Sequence, residues 1–182
     1  MYLLKRRGEM KKYQIIYADP PWPIKWRGSI KIGTKPLAYP TMPIAEICEI
    51  PVKSISEDCS KIFLWTTNQF LPEALGVMRF WGFQYEKLWT WCKPTCSGGH
   101  PRNATEHIIE GARGIVETIG RHASPKNNWF MASTQGHSVK PKEAVELIEY
   151  CYPNLSKIEL FARKKREGWD VWGNEVESDI TL

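Results

Sequence analysis

The chain has 182 residues, 42% of them hydrophobic and 25% charged, enough for one well-buried globular domain and short for two. A net charge of +5 and a pI near 8.9 suit a polyanionic partner, while five scattered cysteines argue against a disulfide framework and for a reducing compartment. No apolar run is long enough to span a membrane and residues 1–12 lack the apolar core of a secretion signal, so the expectation is a cytoplasmic protein with a basic segment over 1–12 and a single domain over 13–182.

In chain order, residues 13–18 read as a strand, because β-branched and aromatic side chains fit a pleated sheet and the prolines that follow cannot continue one. Residues 23–39 form a loop too long for an idle connection, read as a mobile lid facing a substrate. A short helix is expected over 43–50 with Thr41 as its cap, then a strand over 61–66. Leu71, Ala74, Leu75, Met78 and Trp81 recur at helical spacing up to Gly82. Residues 83–92 read as a strand, followed by breakers over 94–101 and by strands at 107–109 and 129–132. The stretch 119–128 between the last two is polar and basic, a loop. Pro141 opens a helix whose Ala144, Val145, Ile148, Cys151 and Tyr152 share one face, and residues 158–162 form the last clear strand. Strands alternating with amphipathic helices imply a largely parallel sheet covered on both faces, the doubly wound α/β class.

The most informative segment is Asp19-Pro20-Pro21-Trp22 at the exit of the first strand. Both prolines lack an N–H and fix φ, so the turn is rigid and rich in hydrogen-bond acceptors. That chemistry suits a conjugated amine such as the exocyclic group of adenine, whose lone pair is delocalised into its ring. With both N–H groups held, by the Asp19 carboxylate and the Pro20 carbonyl, the nitrogen can pyramidalise toward an electrophilic methyl group. Trp22 would offer a flat wall to the base. The plainer reading, a sheet exit with Asp19 in a turn and Trp22 in the core, remains open on these four residues alone. Cys92, Cys96 and His100 are spaced four apart, but a fourth zinc ligand is not evident. Basic runs such as Lys164-Lys165-Arg166 fit solvated surface or phosphate contacts.

Further motifs follow in a fixed order. They are Tyr39-Pro40-Thr41-Met42, Leu64-Trp65-Thr66-Thr67-Asn68, Trp91-Cys92-Lys93, Glu106-His107, His137-Ser138-Val139-Lys140-Pro141, residues 157–163, and Trp172-Gly173-Asn174-Glu175. Together with the first they make the chain resemble, from Tyr13 to Glu175, the Asp-Pro-Pro-Trp adenine-N6 methyltransferases, the family of the catalytic subunit of the eukaryotic messenger-RNA adenosine methyltransferase and of small bacterial and phage DNA enzymes.

The resemblance implies a Rossmann-like methyltransferase fold with circularly permuted motif order, and S-adenosyl-L-methionine as methyl donor. The lack of a Gly-x-Gly-x-x-Gly run independently disfavours a nicotinamide or flavin enzyme. Asp19, Pro20, Pro21 and Trp22 would be catalytic. Lys140 would neutralise the donor's carboxylate; Arg163, Asn174 and Glu175 would hold its ribose and neighbouring groups, or else cap the final loop. Glu159 would orient Arg163 or reach the donor indirectly. Larger members grip the donor adenine with an additional upstream strand, so here the Asn68 turn or the C-terminal loop is expected to do so. Trp22 and Tyr39 would flank the target base, with Asn68 and Glu106 as polar readers. Asn68 serves equally as a helix cap, and His107 reads as a sheet residue. Trp26, Trp169 and Trp172 fit stacking on bases or a partner, or the core.

The expected partner is nucleic acid, DNA before RNA, with the base flipped out or single-stranded. Pairing into a homodimer or heterodimer is common in the family. Two rival readings are a cytosine-N4 methyltransferase, which more often carries Ser before the prolines, and a non-catalytic subunit, against which the intact Asp19 and Lys140 argue.

Overall fold

The computed structural model describes residues 11–23, 40–94, 103–117, 127–136 and 139–182. Seven strands form one sheet: β1 (Tyr13–Ala18), β2 (Ser56–Thr67), β3 (Gln84–Cys92), β4 (Thr105–Arg113), β5 (Trp129–Met131), β6 (Lys157–Leu160) and β7 (Asp170–Trp172). Three α-helices accompany them among the described residues: α1 (Ile44–Glu49), α2 (Leu71–Phe80) and α3 (Lys142–Cys151). The strand order is β5-β3-β4-β2-β1-β6-β7.

The alternation of side chains along the strands fills two separate cores. From β1 and β2, Ile16, Ala18, Ile62 and Leu64 pack with α1 and α2 on one face, through Ile47, Ala74, Val77 and Met78. The interleaved Ile15, Tyr17, Phe63 and Trp65 pack with Ala144, Val145 and Ile148 of α3 on the other. A strand covered on both faces is apolar along most of its length, which is why 15–18 and 62–65 read as continuous apolar runs.

Neighbouring strands are parallel except around β4, which runs against both β2 and β3. The sheet is therefore mixed. Strand β3 ends at Cys92 and β4 lies antiparallel in the slot beside β2; of the breakers expected over 94–101, residues 95–101 lie outside the described residues. The placement of β4 has a functional result: the first residues of β4 lie at the same edge of the sheet as the last residues of β2, with Thr67 opposite Glu106.

Several local expectations are refined. Strand β2 begins at Ser56, earlier than expected, because residues 57–59 are polar and exposed and carry no alternating pattern. Strand β7 was not anticipated: it is three residues long and buries only Val171. Helix α1 has Pro43, not Thr41, at its N-cap, with no side-chain cap. Helix α2 ends as its sequence predicts. Gly82 takes φ of +88°, its N–H reaches the Arg79 carbonyl and that of Phe83 the Met78 carbonyl, a Schellman closure that buries Phe83.

Candidate active site

The carboxyl ends of parallel strands are where open α/β sheets hold ligands, since the loops there diverge. Here β1, β2, β6 and β7 all end at one edge, and a cavity of about 500 Å³ opens there. Its walls come from the turn after β1 (Asp19, Pro20, Pro21, Trp22), the start of β4 (Glu106), the approach to α3 (Lys140) and the segments after β6 and β7 (Arg163, Asn174, Glu175). Residues up to 156 positions apart in sequence thus share one space.

The turn after β1 is held by its own backbone. The Pro20 carbonyl accepts the Trp22 N–H at 2.9 Å and the Pro21 carbonyl that of Met42 at 2.8 Å. A carbonyl oxygen has two lone pairs, so that of Pro20 retains one for a ligand. Asp19 meets the Lys140 ammonium, Oδ2 to Nζ 2.8 Å. Lys140 also lies 3.6 Å from Glu106 Oε2 and 5.2 Å from the centre of the Trp65 ring, and Glu106 is bonded on its other oxygen by Lys93. Acid and base alternate along this row.

On the opposite wall, Arg163 Nε faces Glu175 Oε1 at 3.2 Å. Glu159 pairs with Arg166, Oε2 to Nε 3.3 Å. Burial raises the Glu159 carboxyl above the usual carboxylate range, and the Arg166 charge opposes that shift. Below it, burial also pushes the Tyr17 phenol up; its oxygen accepts the Trp65 indole N–H at 2.6 Å. The wall depends on two backbone features. Phe161 adopts φ of +61°, uncommon without a glycine, and its ring meets that of Trp172 edge to face at 5.6 Å. A Cβ on Gly173 would stand 2.2 Å from the Ala162 carbonyl oxygen, so only glycine lets the segments after β6 and β7 press together.

Residues 13–175 match the MT-A70 family. The chain is 33% identical over 184 residues to the Type II methyltransferase M.MunI of a Mycoplasma species, covering 91% of this chain and 78% of that protein. The chain belongs to the MT-A70 family. It is 28% identical to an N(6)-adenosine-methyltransferase MT-A70-like protein of Drosophila melanogaster and 26% to the human catalytic subunit METTL3, spanning 27% and 28% of their lengths. As an MT-A70 protein it is an adenine-N6 methyltransferase that uses S-adenosylmethionine. The cavity's chemistry fits such a donor: it offers a cation, Lys140, suited to a carboxylate, and Arg163, Asn174 and Glu175 as polar partners suited to a ribose and its neighbouring groups.

Within this MT-A70 chain the expected site residues fare differently. Asp19, Pro20, Pro21, Trp22, Glu106, Lys140, Glu159, Arg163, Asn174 and Glu175 all line the cavity. Tyr39 lies outside the described residues, as do Trp26, Cys96 and His100; among the described residues no cluster could hold a metal ion. Trp22 is not an open wall. It is 4% exposed, its ring stacked on Phe70 at 5.8 Å and its N–H given to the Trp65 carbonyl at 3.0 Å, so it has little area for a base.

Asn68 does not line the cavity and caps no helix; Phe70 holds the N-cap position of α2. Its amide joins β2 to β4, donating to the Thr105 carbonyl and accepting from His107 Nε2–H at 2.9 Å. His107 in turn accepts from the Thr90 hydroxyl at 3.1 Å. This network suits a neutral imidazole, and burial lowers the His107 pKa from 6.5 while the Glu106 charge raises it. Trp169 is core, edge to face with Tyr17. Phe161, Arg166 and Trp172 are among the lining residues to which no donor role was given in advance; Phe161 and Trp172 stood in the quoted motifs, as aromatics at strand ends.

Proposed function

We propose that the chain methylates adenine N6 in DNA in preference to RNA, as one domain over 13–182 preceded by a basic segment, working in the cytoplasm. The similarity to a Type II methyltransferase over most of that protein's length supports DNA. The order of the parts, acceptor turn first and donor wall last, supports a circularly permuted, doubly wound Rossmann-like arrangement. Pairing with a second copy or a related chain belongs to the same reading.

S-adenosylmethionine supplies an electrophilic methyl group when bound. The Asp19 carboxylate and the remaining lone pair of the Pro20 carbonyl accept the two N–H groups of the adenine amine and so turn its lone pair out of the ring plane. Asp19 then takes the proton that the methylated nitrogen releases. This is catalysis by orientation and preorganised acceptors, an effect of roughly 10²–10³-fold for one such group. Lys140 binds the donor's carboxylate, and Arg163, Asn174 and Glu175 hold its ribose side. Glu106 reads the base, and Tyr39 is a second residue assigned to it. Because a paired base cannot reach this edge of the sheet, the target is extruded or single-stranded.

The observation that carries the reading is that one cavity brings the Asp19 turn and the Lys140, Arg163 and Asn174 groups face to face. Its test is incubation with methyl-labelled donor and a panel of single- and double-stranded DNA and RNA, followed by nucleoside analysis. Label in N6-methyladenine from DNA above that from RNA is expected. Label confined to RNA, or to cytosine, would overturn the assignment.

A further inference from the structure

The Asp19–Lys140 pair sets two demands on one charge, because the carboxylate that must accept an amine N–H already holds an ammonium on Oδ2 at 2.8 Å, which leaves Oδ1 to the amine with that charge shared and the group's orientation fixed. A charge-assisted bond is roughly twice as strong as one to a neutral donor, so a neutral adenine amine does not displace the ammonium from Asp19 Oδ2. A carboxylate ligand competes for Lys140 on equal terms. Lys140 also has a second anionic neighbour, Glu106 at 3.6 Å, itself anchored by Lys93, which keeps the ammonium near the cavity when it leaves Asp19.

Resting on the reading of the site above, we propose that Lys140 is a positioning residue that couples the two substrates. In the empty enzyme it holds Asp19 by Oδ2 and takes up the carboxylate's charge and orientation; when it turns to the donor's carboxylate it releases Asp19, so adenine is gripped more tightly by donor-loaded protein. No covalent step is involved. Lys140 is suited to this by its place: it precedes Pro141, whose fixed φ anchors the start of α3, while its long side chain remains able to change partner.

The test measures binding, with no turnover, on the full chain. The probe is a fluorescent oligonucleotide that the enzyme methylates, titrated alone, with S-adenosylhomocysteine, and with 5′-methylthioadenosine, which lacks the carboxylate. Both ligands are used at concentrations shown by calorimetry to fill the site. S-adenosylhomocysteine is expected to tighten binding by about five-fold or more, the range of a real coupling between sites, and methylthioadenosine to leave it unchanged. Purine in place of adenine, which removes the amine, should abolish the gain. In Lys140→Met the oligonucleotide should bind equally well with and without S-adenosylhomocysteine filling the site. Equal tightening by both ligands, none by either, or a coupling that survives in Lys140→Met would overturn the proposal. The wild-type arms decide the matter even if that variant does not fold. Labelled transfer to adenine in a parallel assay, with no coupling, would sink this inference alone and leave the site assignment intact.

Discussion

Strand β4 carries two acid–lysine clusters, and they are built for opposite ends. At its start, Glu106 joins Lys93 and Lys140 at the rim of the cavity. Near its other end, Glu110 is 1% exposed and meets the Trp89 indole N–H at 2.6 Å, Lys61 at 3.3 Å and the Tyr152 hydroxyl at 3.4 Å. Lys61 also bonds Glu86, and burial together with the Glu110 charge raises the Tyr152 phenol. Every bond of the inner cluster is closed within the protein, so it fixes the packing between the sheet and α3. The outer cluster faces a cavity, and its ions can exchange partners. Similar residue types on one strand thus become structure or chemistry according to what surrounds them.

The largest expected effect tests the inner cluster. Glu110→Ala should cost about 3–5 kcal/mol, because it leaves two buried donors, the Trp89 indole N–H and the Tyr152 hydroxyl, without their acceptor and takes from Lys61 one of its two carboxylates, whereas Glu106→Gln should cost under about 1 kcal/mol at its partly exposed site. Urea unfolding of both variants checks this, and equal losses would erase the contrast. Next, Lys140→Ala should weaken donor binding by roughly 10–100-fold, the range of one charge-assisted bond, with little change in stability. Calorimetry reads the affinity; an unaltered value would remove Lys140 from the donor site.

A smaller loss is expected at Gly173→Ala, about 1–3 kcal/mol of stability from forcing the Ala162 carbonyl aside, together with weaker donor binding because the wall bearing Asn174 and Glu175 shifts. Donor affinity equal to wild type would show that wall to be idle. The smallest effect belongs to His107. Its folded pKa lies below 6.5, so just below pH 6.5 the unfolded chain binds more protons than the folded one, and stability falls as the pH drops through that window. His107→Gln should flatten this part of the stability–pH curve; an unchanged slope would assign it to other groups.

Much of this was legible in the sequence because it is local. The run 15–18 is apolar at every position, and α2 shows both its stripe and its glycine stop. The motif residues Asp19, Lys140, Arg163, Asn174 and Glu175 do share one cavity. What could not be read depends on which distant pieces meet. The reversal of β4 follows from the path of a loop and leaves no mark on the strand's own residues. Trp22 read equally as a flat wall for a base and as a core residue, and is buried because Phe70 and the Trp65 carbonyl lie against it. The Asp19–Lys140 pair joins residues 121 positions apart, and the pairing of Glu159 with Arg166 depends on the turn after β6, where Phe161 takes its left-handed conformation.

The account rests most heavily on Asp19 as the acceptor that holds the adenine amine. The direct measurement is mass spectrometry of nucleosides from DNA treated with donor and either the wild-type chain or Asp19→Asn, with donor binding measured in parallel. The account predicts N6-methyladenine from the wild type, and from Asp19→Asn a rate lower by about 10²-fold or more at nearly unchanged donor affinity. N6-methyladenine formed by Asp19→Asn at the wild-type rate would contradict it.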